Sequence, residues 1–222
     1  KVYLKYTTSP TMVQIWDDCY MENIHFYSLE PDLNNQRGST ELRKNIYLKN
    51  VGFFDFRNPT NGNAWGLYMK TCQNITLDAC QFAGNTQSDI AIVDGVSGVT
   101  IINPINAVDN GVYLNVEPNS ISIDKAIQLQ GGHYRRVNLL TNTITENPLQ
   151  NMSIIGCEID WLMYDGGDVD VIASQVKLMT NQEFVNIPLG SLDMDLRLGG
   201  NIIKDPYIVD YDYADTTTRF WR

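Results

Sequence analysis

A nine-residue phrase recurs along the chain and restricts its folds more than any other feature. Asn45-Ile46-Tyr47-Leu48-Lys49-Asn50-Val51-Gly52-Phe53 is the first clear copy, and Asn74-Ile75-Thr76-Leu77-Asp78-Ala79-Cys80-Gln81-Phe82 is the second. Gly98-Val99-Thr100-Ile101-Ile102-Asn103-Pro104-Ile105-Asn106 is the third, and Ser120-Ile121-Ser122-Ile123-Asp124-Lys125-Ala126 is a looser fourth. Further copies start upstream at Asn23 and downstream at Asn151. The first apolar residues are Ile24, Ile46, Ile75, Val99, Ile121 and Met152, at steps of 22, 29, 24, 22 and 31 residues. Self-similarity on this scale marks a repeat architecture.

Within each phrase apolar and polar residues alternate, the period of a strand. A second short strand precedes most phrases, at Leu67-Tyr68-Met69, Ile90-Ala91-Ile92 and Val112-Tyr113-Leu114. No helical period lies between them. The dense Leu framework of leucine-rich repeats is missing, and the units are too short for propeller blades. What remains is a coil of two or three short strands joined by turns. Stacked coils of this kind make a parallel β-helix, an all-β solenoid.

The sharpest pieces, Asn74-Ile75-Thr76-Leu77 and Asn110-Gly111-Val112-Tyr113-Leu114, resemble the right-handed single-stranded parallel β-helices of the pectate-lyase-like group. The Asn-, Tyr- and Ile-rich composition, acidic balance and irregular coil lengths look most like bacteriophage tailspikes and tail appendages. The resemblance covers roughly residues 12–180. It implies a homotrimer in the virion tail, assembled in the host cytoplasm beside other tail proteins. It also implies binding, and usually cleavage, of a host cell-surface glycan or teichoic acid. The polygalacturonase signature set does not occur, so pectin hydrolysis is not expected. The chain starts on a strand-like Lys1-Val2-Tyr3-Leu4 without Met. We therefore expect a fragment of a longer protein, with β-helix coils over 1–180. Residues 181–222 would form terminal coils, a cap or the start of a trimerisation segment.

A net charge of −10 over 222 residues argues against nucleic acid or an anionic membrane as main partner. No apolar run is long enough to span a bilayer. The cysteines are Cys19, Cys72, Cys80 and Cys157. Cys80 and Cys157 take the phrase position that Val51 and Pro104 take elsewhere, so the thiols are expected to be buried and free.

Adjacent coils stack at strand spacing, about 4.8 Å, so equal offsets in the phrase become neighbours. Asp94 lies five residues before Val99, and Glu117 four before Ile121. They are expected one rung apart and one step diagonal, a carboxylate pair suited to acid–base glycoside hydrolysis. Lys70 shares the offset of Asp94 and would hold it ionised or bind an anionic substrate. Asp89 and Asp109 form a second catalytic candidate group. The competing reading of all four is solvated turn carboxylates. His133, in Gly131-Gly132-His133-Tyr134-Arg135-Arg136, would with Arg135 bind or deprotonate an acidic substrate, the competing reading being a turn followed by strand-surface charges. Trp65 is the aromatic placed nearest a glycan.

Asp165-Gly166-Gly167-Asp168-Val169-Asp170 lacks the spacing of a Ca²⁺ loop, and no metal or cofactor is assigned. The leading expectation is a surface-polymer hydrolase, a glycosidase or a phosphodiesterase of teichoic acid. The alternatives are a non-catalytic receptor-binding fibre segment and a polysaccharide lyase.

Overall fold

The structure, a computed structural model, describes residues 2–4, 13–28, 40–56, 64–117, 124–140, 149–164, 167–180, 194–199, 202–203 and 208–209. Among these every regular element is a β-strand. The strands stack in parallel into three ladders, and the chain is a parallel β-helix. The first ladder holds β3 (Tyr20–Glu22), the second half of β5 (Thr40–Lys49), the second half of β7 (Trp65–Asp78) and β10 (Ser97–Ile102). It continues through β12 (Asp124–Gln130), β15 (Met152–Ile155), β17 (Gly167–Ile172) and β19 (Met194–Gly199). The second holds β1 (Val2–Leu4), β4 (His25–Ser28), β6 (Gly52–Phe54) and β8 (Gln81–Ala83), extended by a bridge from Gln81 to Ile105.

The third ladder starts with β2 (Val13–Ile15) and the first halves of β5 and β7. It runs on through β9 (Ser88–Val93), β11 (Val112–Val116), β13 (His133–Leu139), β16 (Glu158–Tyr164) and β18 (Gln175–Thr180). The short β14 (Leu149–Gln150) pairs with the start of β12. Past residue 180, β19, β20 (Ile202–Ile203) and β21 (Ile208–Val209) keep stacking on β17 and β18.

Two columns of left-handed residues explain the phrase. Asp18, Asn45, Asn74, Gly98, Ala126 and Asn151 all have φ between 53° and 67° and stand just before the first-ladder strand. Asn23, Asn50, Ala79, Asn103, Gly131, Gly156 and Ala173 have positive φ just after it. The coil turns its corner at each column, and only Gly, Asn or Asp enter this conformation cheaply. The Asn side chains then stack across coils, Asn74 Nδ2 donating to Asn45 Oδ1 at 3.0 Å and Asn50 Nδ2 to Asn23 Oδ1 at 2.7 Å.

Between the columns the apolar positions face inward. Ile46, Ile75, Val99, Ile127, Met152 and Val169 form one buried file, and Leu48, Leu77, Ile101, Leu129, Ile154 and Val171 the next. Phe26, Phe53 and Phe82 stack at 5.6 and 5.8 Å in the second ladder. Filing like residues rung on rung removes nearly all of each side chain from water, at roughly 25 cal/mol per Å².

Two copies sit differently from the sequence-based expectation. Val99 pairs with Ile127, not Ile121, so the fourth rung begins six residues later; residues 118–123 lie outside the described ones. Upstream, Tyr20 pairs with Tyr47, which puts Cys19, not Ile24, opposite Ile46. Ile24 instead precedes the second-ladder strand β4. Both errors have one cause. Asn stands at corners of both columns, so Asn23 imitates a phrase start, while the true start of the fourth rung is an Ala. The four cysteines are free, with Cys72, Cys80 and Cys157 buried.

Candidate functional site

The outward face of the third ladder carries most of the polar chemistry. On β11 and β13, Tyr113 pairs with Arg136 and Asn115 with Asn138. Val137 pairs with Leu162, so Arg136 also faces Trp161 on the following coil. The guanidinium of Arg136 lies 5.1 Å from the Tyr113 ring centroid and 4.3 Å from that of Trp161. It is held between two aromatic rings, each contact worth about 0.5–2 kcal/mol. Arg135 lies over the same Tyr113 ring at 5.7 Å.

From this stack a chain of amides crosses the coils. Arg136 Nε donates to Asn138 Oδ1 at 2.7 Å. Asn138 Nδ2 donates to Tyr113 Oη at 2.9 Å and Asn115 Oδ1 at 3.0 Å. Asn115 Nδ2 donates to Glu117 Oε2 at 2.9 Å. Glu117 is thus linked to Trp161, two coils away. Sequence reading missed Tyr113, Asn115, Arg136, Asn138 and Trp161 as a group, because only the register joins them.

Asp94 and Glu117 follow the ends of β9 and β11, on adjacent coils. Val116 pairs with Ile92 and the Glu117 amide donates to the Ile92 carbonyl at 2.8 Å, which sets Glu117 one step diagonal from Asp94. Lys70 Nζ lies 3.2 Å from Asp94 Oδ2, although the register pairs Lys70 with Val93. Behind them is Asp124, a carboxyl that sequence reading did not single out. It is fully buried and accepts from Val96 N at 2.8 Å through Oδ1, while Oδ2 has no partner. Burial pushes its pKa up to about 6, against the pull of the Val96 and Gly95 amides and with the help of the Asp94 charge.

Asp89 and Asp109 are joined by an amide. Asn106 Nδ2 reaches Asp89 Oδ2 at 2.9 Å and Asp109 Oδ2 at 3.0 Å. Asp89 also accepts from Asn85 Nδ2 and from Tyr113 N, both at 2.9 Å, and is fully buried. Burial raises its pKa, partly offset by these donors and by the charge of Arg135. This group ties the loop over 105–111 to β9. Trp65 is 8% exposed and packs against Tyr68 at 4.9 Å, leaving little of its ring for a ligand.

His133 borders a groove of about 350 Å³ lined also by Pro104, Ile105, Asn106 and Gly111. Its Nε2 lies 3.1 Å from Asp160 Oδ1. Asp160 is further paired with Lys177, which also approaches Glu158 at 3.3 Å. Burial pushes the Asp160 carboxyl up, but the contacts from Lys177 and His133 together hold it below its ordinary value. His133, Glu158 and Asp160 bring three potential metal-ligand atoms within 4.8 Å of one another. The Lys177 ammonium already bridges the two carboxylates, doing the electrostatic work a cation would do there.

No protein-family model, curated protein or solved structure matches the chain.

Proposed function

We propose that the chain is a segment of a phage tailspike or tail appendage that binds a host cell-surface polymer and hydrolyses it with a carboxylate pair. The polymer is a capsule, an O-antigen or a teichoic acid. What supports catalysis is the placement of Asp94 and Glu117 on adjacent coils in unlike surroundings. Asp94 meets the Lys70 ammonium, and Glu117 meets the Asn115 amide. Unlike settings for two neighbouring carboxyls are the usual route to dividing acid and base roles. In this reading Glu117 protonates the leaving oxygen as the bond to the anomeric carbon breaks. Asp94 takes a proton from the attacking water or itself attacks that carbon. The network from Glu117 to Trp161 runs across the coils, the direction in which a linear polymer meets equivalent positions rung after rung.

The test is depolymerisation of purified capsule, O-antigen and wall teichoic acid, followed by fragment size, with Asp94→Asn and Glu117→Gln in parallel. Cleavage of one polymer, and a loss of a hundredfold or more in either variant, is the expected result. Cleavage that both variants match removes the pair from the mechanism.

A non-catalytic receptor-binding segment is the second reading. It is favoured by Asp89 and Asp109, whose contacts are those of a loop clamp. Binding of one polymer with no fragment release would establish it.

A further inference from the structure

We infer that Arg135 and Arg136 form a preorganised site for an anionic group, so that the polymer of the proposed function is an acidic one. The inference rests on that reading for the polymer itself, and on the following for the charge. The chain carries 26 acidic residues against 16 basic ones. In such a protein a surface arginine has carboxylates in plenty to pair with. Lys44, Lys49, Lys70 and Lys177 each do so. Among the described residues, neither Arg135 nor Arg136 forms an ion pair with any carboxylate.

Their surroundings fix them without neutralising them. Arg136 is held between Tyr113 and Trp161 and spends only Nε on a protein acceptor, Asn138 Oδ1 at 2.7 Å. Its two terminal amino groups make no described hydrogen bond. Arg135 lies over the other side of the site at the Tyr113 ring, with a buried Nε that has no partner. Its charge acts on Asp89, whose oxygens are already taken by Asn85, Asn106 and the Tyr113 amide. Two adjacent guanidinium groups therefore keep their forks of donors unspent beside one aromatic ring.

A guanidinium fork matches the oxygens of a carboxylate or a phosphate in bidentate fashion. Ring stacking removes the rotamer freedom that binding would otherwise have to freeze. A local cationic pair on a protein of net charge −10 also selects its ligand, because the rest of the surface repels polyanions that do not seat there. The ligand chemistry is thus an oxyanion carried on a polymer, either the carboxylate of a uronic acid or the phosphodiester of a teichoic acid.

The experiment is isothermal titration of the full chain with three probes at low and high salt. The probes are an oligogalacturonate, a glycerol-phosphate oligomer and a neutral dextran oligomer. The variants are Arg135→Gln and Arg136→Gln, each checked by circular dichroism. The expected result is that one anionic probe binds at least tenfold more tightly than dextran. That binding falls at least tenfold in each folded variant and weakens with salt. Arg135→Gln alone decides if Arg136→Gln does not fold, since Arg135 makes no hydrogen bond that folding needs. Which anionic probe binds separates the uronate source from the phosphodiester one. Equal affinity for dextran, or anion binding that the variants retain, overturns the inference. Cleavage of a surface polymer that is indifferent to both variants overturns it too and leaves the proposed function standing. Anion binding lost in the variants, with no surface polymer bound or cut, does the reverse.

Discussion

Asn106 and Asp89 meet in a buried hydrogen bond, Nδ2 to Oδ2 at 2.9 Å. Their ladders would keep them apart. Gln81 bridges Ile105, so Asn106 follows in the column where Phe26, Phe53 and Phe82 stack. Asp89 stands on the outward side of β9, opposite Tyr113. An amide has replaced an aromatic ring in a core file and turned toward a carboxylate under the loop that follows it. The loop over 105–111 is fastened by that exchange.

Asp89→Ala removes the acceptor of the Tyr113 amide and one of two acceptors each of Asn85 Nδ2 and Asn106 Nδ2, which keep Phe53 O and Asp109 Oδ2. At about 1–3 kcal/mol for the stranded amide, it is expected to lower stability by about that amount, read as the shift in urea midpoint. A variant as stable as the wild type would remove the clamp from the account.

Asp124 makes stability depend on pH in a definite direction. Its folded pKa is raised to about 6, so the folded chain keeps a proton that the unfolded chain releases near the ordinary carboxylate value. The stabilisation is complete below that value, falls as pH rises through about 6, and is gone above it. The shift corresponds to about 3 kcal/mol. Asp124→Asn keeps an acceptor for the Val96 amide and does not titrate. The difference in unfolding free energy between variant and wild type should therefore move in favour of the variant between pH 4 and pH 7. A pH-independent difference would rule the assignment out.

Gly132 and Gly156 separate backbone strain from crowding. Both have positive φ, 84° and 64°. A Cβ on Gly132 would lie 2.7 Å from Pro104 Cδ, whereas one on Gly156 meets nothing within 4 Å. Gly156→Ala should cost about 1 kcal/mol, the left-handed penalty alone. Gly132→Ala should cost more, by about 1–3 kcal/mol of overpacking. Thermal unfolding of the two variants side by side reads the difference, and equal losses would show that Pro104 yields at no cost.

The thiols differ in reactivity. Burial pushes Cys72, Cys80 and Cys157 up to about 12, and only a thiolate reacts readily. In native protein a disulfide reagent should label Cys19 at most, and in denaturant all four. Rapid native labelling of more than one site, located by peptide mapping, would contradict the buried files.

The proposed pair shows how far offset counting reaches. Lys70 and Asp94 do meet, but the register pairs Lys70 with Val93, one residue off the counted offset, and Glu117 was counted from Ile121, which does not open the fourth rung. The same counting misplaced the fourth rung, since Ala126 enters the left-handed corner without the Asn or Gly that signals it. Trp65 looked available for a sugar because its neighbours in sequence are polar, yet the fold packs it against Tyr68.

The β-helix was legible in the residues, because a corner needs a left-handed residue and a strand needs alternation, and both leave local marks. So was the burial of Cys72, Cys80 and Cys157, through the residues that replace such cysteines in other coils, whereas Cys19 is only half-buried. Which outward residues meet followed from the stacking of the coils. Tyr113, Arg136 and Trp161 are 23 and 25 residues apart, and each was unremarkable in its own coil. Their contact depends on coil lengths that vary from rung to rung, so no fixed period predicts it. The buried carboxyls of Asp89 and Asp124 were hidden for the same reason, since burial is a property of what the neighbouring coils lay over a residue.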